Sequence, residues 1–312
     1  MKVIGLEKEK GILKLAINKK YPVLLIGETG LGKTYLLRSL AQSFNRPLIR
    51  VPLNGEVGVN EILGKWLVRD GSTFWQDGVL TSAMRNGEWL LLDELNAALP
   101  EVLFCLNALL DDSRSIVLSE KDGENIVPHE DFRLFATMNP TEEYAGTKET
   151  NKALLSRFIM VLWLEDYAPE VEREIVKYQS GIDDSSASVM VDVANAIRKL
   201  KRGKEIWYTC SVRDVIGWAK IFKSNKSLSE SFLYAILNKA DAEERSLIIK
   251  RAEGITEALK IDWASRQKDL ERLLTQEMLE AREKFKAREE RLTNILTTLQ
   301  ESFSSMRKEL SG

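Results

Sequence analysis

The first 165 residues alternate short apolar runs with helix-spaced segments, the rhythm of a mostly parallel sheet covered by helices. Val23–Ile26, Leu48–Pro52, Trp89–Leu92, Leu134–Met138 and Ile159–Leu164 are the candidate strands. Each is apolar and bounded by turn or polar residues, as buried parallel strands are. Helical stretches precede Tyr21, follow Lys33 and run through Pro100–Leu110. Two segments break the rhythm. KWLVRDGSTFWQ, residues 65–76, alternates around Asp70–Gly71 and predicts a β-hairpin. SIVLSEKDGENIV, residues 115–127, predicts a second one turning near Asp122–Gly123. Over residues 166–258 the apolar spacing becomes three and four, which predicts an all-α second domain.

Residues 259–312 predict a long helical tail. Leu292, Leu296, Leu299, Phe303, Met306 and Leu310 recur in a four–three spacing, the seam of a heptad repeat. Leu270, Leu274, Met278, Ala281 and Phe285 continue it upstream with one stutter. A coiled-coil arm and an amphipathic helix folded back on its own domain both fit this stripe.

A formal net charge of −2 gives no general electrostatic reason to expect nucleic acid or an anionic membrane as partner. The two cysteines, Cys105 and Cys210, lack metal-type spacing, and Cys105 sits in the apolar run VLFCLNALL. A reducing, cytoplasmic setting follows. No apolar run approaches a membrane span, and MKVIGLEKEK has no apolar signal core.

Gly27-Glu28-Thr29-Gly30-Leu31-Gly32-Lys33-Thr34 fits G-x-x-x-x-G-K-[ST], with the strand VLLI leading in and a helix from Lys33 and Tyr35 leading out. Glycines let such a loop wrap a triphosphate, so that backbone N–H groups and a helix N-terminus meet its oxygens. Lys33 is then expected on the β- and γ-phosphates and Thr34 on magnesium. Trp89-Leu-Leu-Leu-Asp93-Glu94 is a strand ending in two acids. Asp93 suits a second hold on magnesium, and Glu94 suits polarising an attacking water. ATP and Mg²⁺ are the cofactors this pairing implies.

These motifs, with VIGLEKEKGILKLAINKKYPVLLIGETGLGKT, DGVLTSAMRNGEWLLLDELNAALPEVLFCLNALLDD and FRLFATMNPTEEYAGTKETNKALLSRF, resemble the AAA+ ATPases. The resemblance is narrower still to the MoxR branch with its CbbQ/NirQ and midasin-like, dynein-related relatives. It is close over residues 3–165, loose over the helical domain and absent from the tail. It implies a P-loop α/β core with an all-α lid, and a ring, normally a hexamer. It also implies roles for further residues. Asn139 matches sensor 1, Arg157 the arginine finger that reaches a neighbour's nucleotide, and Arg213 sensor 2 of the lid. Ile4 and Gly5 match the segment along adenine. Asn54 matches a polar residue that restrains Glu94. The 65–76 hairpin matches the helix-2 insert that faces the pore in relatives, where Trp66, Phe74 and Trp75 grip substrate or pack among themselves. The resemblance further implies chaperone-like remodelling, often with a von Willebrand A-domain partner, whereas nucleic acid and membrane are not expected. A McrB-like nucleic-acid NTPase and a nucleotide-gated scaffold acting through the tail are the alternatives.

Two motifs point elsewhere. Asn238-Lys239-Ala240-Asp241 spells N-K-x-D, but its neighbours have helical spacing and no D-x-x-G follows the P-loop. His129, the only histidine, reads as a loop residue.

Overall fold

The computed structural model describes residues 2–111, 113–140 and 152–259. Residues 260–312, with the predicted tail and its heptad seam, lie outside the described residues. In chain order the elements are α1 (Glu7–Lys19), β1 (Val23–Ile26), α2 (Lys33–Ser43), β2 (Leu48–Pro52), α3 (Val59–Leu63), β3 (Gly64–Arg69), β4 (Ser72–Asp77), α4 (Val79–Asn86) and β5 (Trp89–Asp93). Then come α5 (Pro100–Leu110), β6 (Ile116–Leu118), β7 (Glu124–Ile126), β8 (Arg133–Met138), α6 (Lys152–Arg157) and β9 (Met160–Trp163). Helices α7 (Pro169–Ser180), α8 (Asp184–Arg202), α9 (Val212–Asn225), α10 (Leu228–Ala235) and α11 (Ala242–Glu253) follow.

The five-stranded sheet has the order β2-β5-β8-β1-β9 with every pairing parallel. A strand covered on both faces must be apolar throughout, and VLLI of β1 is buried at all four positions. Alternation divides it: Leu24 and Ile26 face one core cluster with α3, α4 and α5, while Val23 and Leu25 face the other with α1 and α2. Phe44, Trp89 and Phe135 stack in tilted pairs within the second cluster, at 5.4 and 5.5 Å. Because all five strands run the same way, the loops after β1, β2, β5 and β8 emerge at one end of the sheet, where α/β sheets carry their ligand crevices.

Strands β3 and β4 form the first predicted hairpin, and β6 and β7 the second. Asp70 and Gly71 both take positive φ, 52° and 75°, the backbone a tight two-residue hairpin turn demands. The two hairpins interlock. Trp66 Nε1 donates to the Glu120 carbonyl at 2.8 Å, and its ring meets Trp75 edge-on at 5.6 Å. Arg85 of α4 bonds both Asp77 at 2.9 Å and Glu124 at 2.6 Å.

Helices α8, α9 and α10 begin at side-chain caps: Asp183 accepts from Ser186 N, Ser211 and Asp214 form a capping box, and Ser227 accepts from Glu230 N. Trp218 packs between α9 and α10 against Phe232 at 4.9 Å, and its Nε1 donates to Ser231 Oγ at 3.0 Å. A buried ion pair ties the helices after β9 together. Arg198 of α8 donates to both oxygens of Glu172 on α7 at 2.6 and 2.7 Å, and its Nε donates to the Cys210 carbonyl at 2.6 Å. That carbonyl lies one residue before the α9 cap, so the pair fixes where α9 starts.

Candidate nucleotide site

A cavity of about 480 Å³ opens at the C-terminal end of the sheet. Thr29, Gly30, Gly32, Lys33, Thr34 and Tyr35 line it from the loop between β1 and α2 and from the first turn of α2. Asp93 and Glu94 line it from the end of β5, Asn139 from the end of β8, Ile4 from the N-terminal segment and Arg213 from α9. Thus eleven of the expected site residues meet around one space. Gly27 and Glu28 lie behind it and offer their carbonyl oxygens to Lys33. Leu31 is buried, Gly5 packs against Tyr167 and Val171, and Arg157 stands apart.

Gly30 takes φ +92°, and a Cβ there would lie 2.9 Å from Ser211 Cβ and 3.3 Å from Arg213 N. Glycine is therefore demanded twice, by backbone conformation and by the close approach of the α9 start. Lys33 opens α2, and its ammonium uses all three donors: Gly27 O at 2.5 Å, Glu28 O at 3.0 Å and Asn139 Oδ1 at 2.9 Å. Burial pushes Lys33 down to about 8, against the opposing pull of Asp93, Glu28 and Glu94.

Asp93 is buried, yet bonded enough to stay an anion. Its Oδ2 accepts from Arg50 Nε at 2.6 Å and Thr34 Oγ1 at 3.3 Å, and its Oδ1 accepts from Thr137 Oγ1. Burial pushes its carboxyl up, but the bonds from Thr137, Arg50 and Thr34 outweigh that and hold it below the usual carboxylate range. Next to it, Glu94 is exposed and adopts φ 62°, ψ 50°, with its amide donating to Thr137 Oγ1 at 3.2 Å. A left-handed non-glycine residue costs about 1–2 kcal/mol; here it turns the chain sharply off β5 straight after Asp93.

The lining also includes the apolar and aromatic residues Val3, Ile4, Ile175, Tyr178 and Ile216. Tyr35 Oη donates to the Lys2 carbonyl at 3.1 Å, and Tyr167 Oη donates to the Leu31 carbonyl at 2.8 Å, so the N-terminal segment is tied to α2 and Tyr167 to the β1–α2 loop. Burial raises the Tyr167 phenol well above its ordinary range, so it remains a donor.

Arg157 is half-buried at the end of α6. Its Nε donates to Asp111 Oδ1 at 2.6 Å and its Nη1 to the Ala153 carbonyl at 2.9 Å. Asn54 makes no hydrogen bond to Glu94 in this structure; its Oδ1 accepts from the amides of Glu56 at 2.9 Å and Val57 at 3.1 Å. Sequence reasoning missed Arg50, Thr137 and Tyr167. The first two carried a signal, as the polar residues inside LIRVP and LFATM, which are otherwise apolar. The N-K-x-D stretch contributes nothing to the cavity, and its lysine, Lys239, pairs with Asp214.

Residues 22–158 match the AAA domain of the dynein-related subfamily, and residues 172–250 match the CbbQ/NirQ/NorQ C-terminal family. CbbQ of Hydrogenophilus thermoluteolus is 35% identical over 199 residues, covering 64% of this chain and 72% of that protein. The chain belongs to the dynein-related, CbbQ/NirQ/NorQ branch of the AAA+ ATPases. The CobS subunit of an aerobic cobaltochelatase from Sinorhizobium is 32% identical over 252 residues, with 75% of each chain covered. Midasin of Dictyostelium discoideum is 32% identical over 257 residues; that is 80% of this chain but only 4% of midasin.

An AAA+ P-loop core implies nucleotide binding, and the residues present fit it. Lys33, Arg38, Arg50 and Arg213 supply positive charge to the cavity lining, and Val3, Ile4, Ile175 and Ile216 supply apolar surface. Magnesium also fits, because Thr34 Oγ1 and Asp93 Oδ2 are hard oxygen donors 3.3 Å apart.

Proposed function

We propose that this chain binds ATP with magnesium in the cavity and hydrolyses it to ADP and phosphate as one subunit of a ring, a hexamer. The ring uses the cycle to remodel or activate a partner protein. The observation that carries this reading is the convergence of Lys33, Thr34, Asp93, Glu94, Asn139 and Arg213 on one cavity, with Arg157 outside it.

Lys33 gives up the Gly27 and Glu28 carbonyls for β- and γ-phosphate oxygens. Thr34 and Asp93 hold magnesium, which when bound supplies positive charge to the phosphate oxygens. Glu94 orients the attacking water and draws on its proton, while Asn139 fixes the water's place beside the γ-phosphate. Arg213 carries the state of the phosphates into α9 and, through Ser211 and Cys210, into the Arg198–Glu172 pair. Arg157 completes the neighbouring subunit's site, stabilising charge in its transition state. Charges aimed at the place where new charge develops are worth most in a site that excludes water.

A protein partner is supported by family: CbbQ-type chains and a chelatase subunit are relatives, and a von Willebrand A-domain protein is the partner we favour. The weak net charge of −2 supports protein rather than nucleic acid as substrate. Among the described residues no helix is long and apolar enough to cross a membrane. Cys105 and Cys210 are both free thiols, which supports a cytoplasmic setting.

The test is ATP hydrolysis against protein concentration with mass measured alongside. Specific activity should rise as the ring assembles, and Arg157→Ala should assemble yet lose on the order of 10³ in rate. A monomer as active as the ring, or a silent Arg157→Ala, refutes the shared site.

A further inference from the structure

Asp93 already has a cation on it. Arg50 Nε donates to Asp93 Oδ2 at 2.6 Å, the same oxygen that Thr34 Oγ1 approaches at 3.3 Å. These are the two groups the proposed chemistry assigns to magnesium, so Arg50 occupies a lone pair the metal needs. Lys33 does not substitute for it, because Lys33 spends its donors on Gly27, Glu28 and Asn139. A buried carboxylate left without a cation is strongly disfavoured.

The fold explains how Arg50 gets there. Strands β2 and β5 pair in register with Arg50 opposite Leu91, two residues before Asp93. The arginine side chain is long enough to run forward along the strand to that carboxylate. The Asp93 side chain is 7% exposed, whereas that of Arg50 is 41% exposed and lines the cavity. Asp93 is its one hydrogen-bonded side-chain partner among the described residues. One side of the pair is fixed by packing, and the other is free to leave.

We propose that Arg50 is an exchangeable counter-cation: its guanidinium holds the place of a divalent cation on Asp93 in the empty cavity and moves onto the phosphates when metal and nucleotide enter. The proposal rests on Asp93 being a metal ligand. It makes Arg50 a positioning residue before binding and a phosphate contact after it. It also makes metal without nucleotide a poor ligand, because Arg50 then has no anion to accept it in exchange.

The experiment uses the full-length chain and Mn²⁺ alone, with free ion read by electron paramagnetic resonance. Wild type should bind Mn²⁺ weakly, Arg50→Gln at least tenfold more tightly, and Asp93→Asn not at all. Arg50→Gln should also melt lower than wild type in chelator and be restored by Mg²⁺, while wild type is unmoved by Mg²⁺. In an Asp93→Asn background, Arg50→Gln should cause no further loss. Equal Mn²⁺ affinity in wild type and Arg50→Gln overturns the exchange while leaving Asp93 as a ligand. Unchanged Mn²⁺ binding in Asp93→Asn overturns the ligand assignment as well. A wild-type readout covers failure of the variant to fold. The Arg50 Nε–H resonance, assigned by its loss in Arg50→Lys, should shift when Mg²⁺ with a non-hydrolysable ATP analogue is added; a resonance that stays in place refutes the proposal.

Discussion

Lys33 sets a measurable pH dependence on nucleotide binding. In the empty cavity burial holds its ammonium near 8, well below the ordinary lysine value of 10.5. Its three bonds go to two carbonyls and an amide oxygen, none of which carries a full negative charge. Phosphate oxygens do, so the bound state favours the charged form and returns the pKa to its ordinary value or higher. The sign follows. Below about pH 8 the lysine is protonated in both states and binding takes up little. Between about 8 and 10.5 it is neutral when free and charged when bound, so binding takes up a proton and weakens as pH rises. At pH 9 a free-state pKa of about 8 leaves roughly 0.1 of the lysine protonated, giving an uptake of roughly 0.9 proton and an affinity that falls nearly tenfold per pH unit. Calorimetric titration of Mg²⁺–ATP into Glu94→Gln, in buffers of different ionisation enthalpy at pH 7, 8 and 9, measures this directly. Uptake that stays constant across the three, or an affinity flat from pH 8 to 9.5, refutes the reasoning. Lys33→Arg, which does not titrate in this range, should abolish the dependence.

Other perturbations test the frame around the site. Arg198→Ala leaves the Glu172 carboxyl fully buried and without its two bonds, and should lower stability by about 3–5 kcal/mol in urea unfolding, whereas Arg198→Met with Glu172→Leu should cost far less. Gly30→Ala must hold φ +92° and push against Ser211, so nucleotide affinity should fall at least tenfold, read by fluorescent-nucleotide titration, while circular dichroism stays unchanged. Asp111→Asn loosens the guanidinium of Arg157 without removing it; hydrolysis per assembled ring should fall by about tenfold with ATP affinity unmoved, and a wild-type rate would show that Asp111 has no part in presenting Arg157.

The strands were readable because each is a short apolar run with turn residues at both ends. Val23–Ile26 and Leu48–Pro52 coincide with their expected limits, and the other three differ by a residue at one or both ends. Both hairpins were readable for the same local reason, since Asp-Gly pairs tolerate the positive φ their turns require. What the sequence hid is everything set by which strand lies beside which. Nothing in LIRVP says that its arginine runs alongside WLLLD, because β2 and β5 are joined through a helix, a hairpin and another helix. Thr137 is a related case: it stands out as a polar residue inside LFATM, but its partner is set only when β8 is placed next to β5. The interlock of the two hairpins through Trp66 and Glu120 likewise joins residues whose sequence patterns are independent.

These hidden pairings share a physical logic. Lys33 rests on carbonyls and Asn139, Asp93 on Arg50, and Arg157 on Asp111. Buried or half-buried charges require such partners, since an unpaired one would be neutralised or would destabilise the fold. Binding is therefore an exchange, and its net gain is the difference between new bonds and those surrendered. Phosphate alone would displace the Lys33 bonds yet leave Asp93 with Arg50, and metal alone would strand Arg50. Metal with nucleotide would give Arg50 the phosphates and Asp93 the metal. With the exchange proposed for Arg50, such a site favours the metal–nucleotide complex over metal alone, without a contact dedicated to that choice.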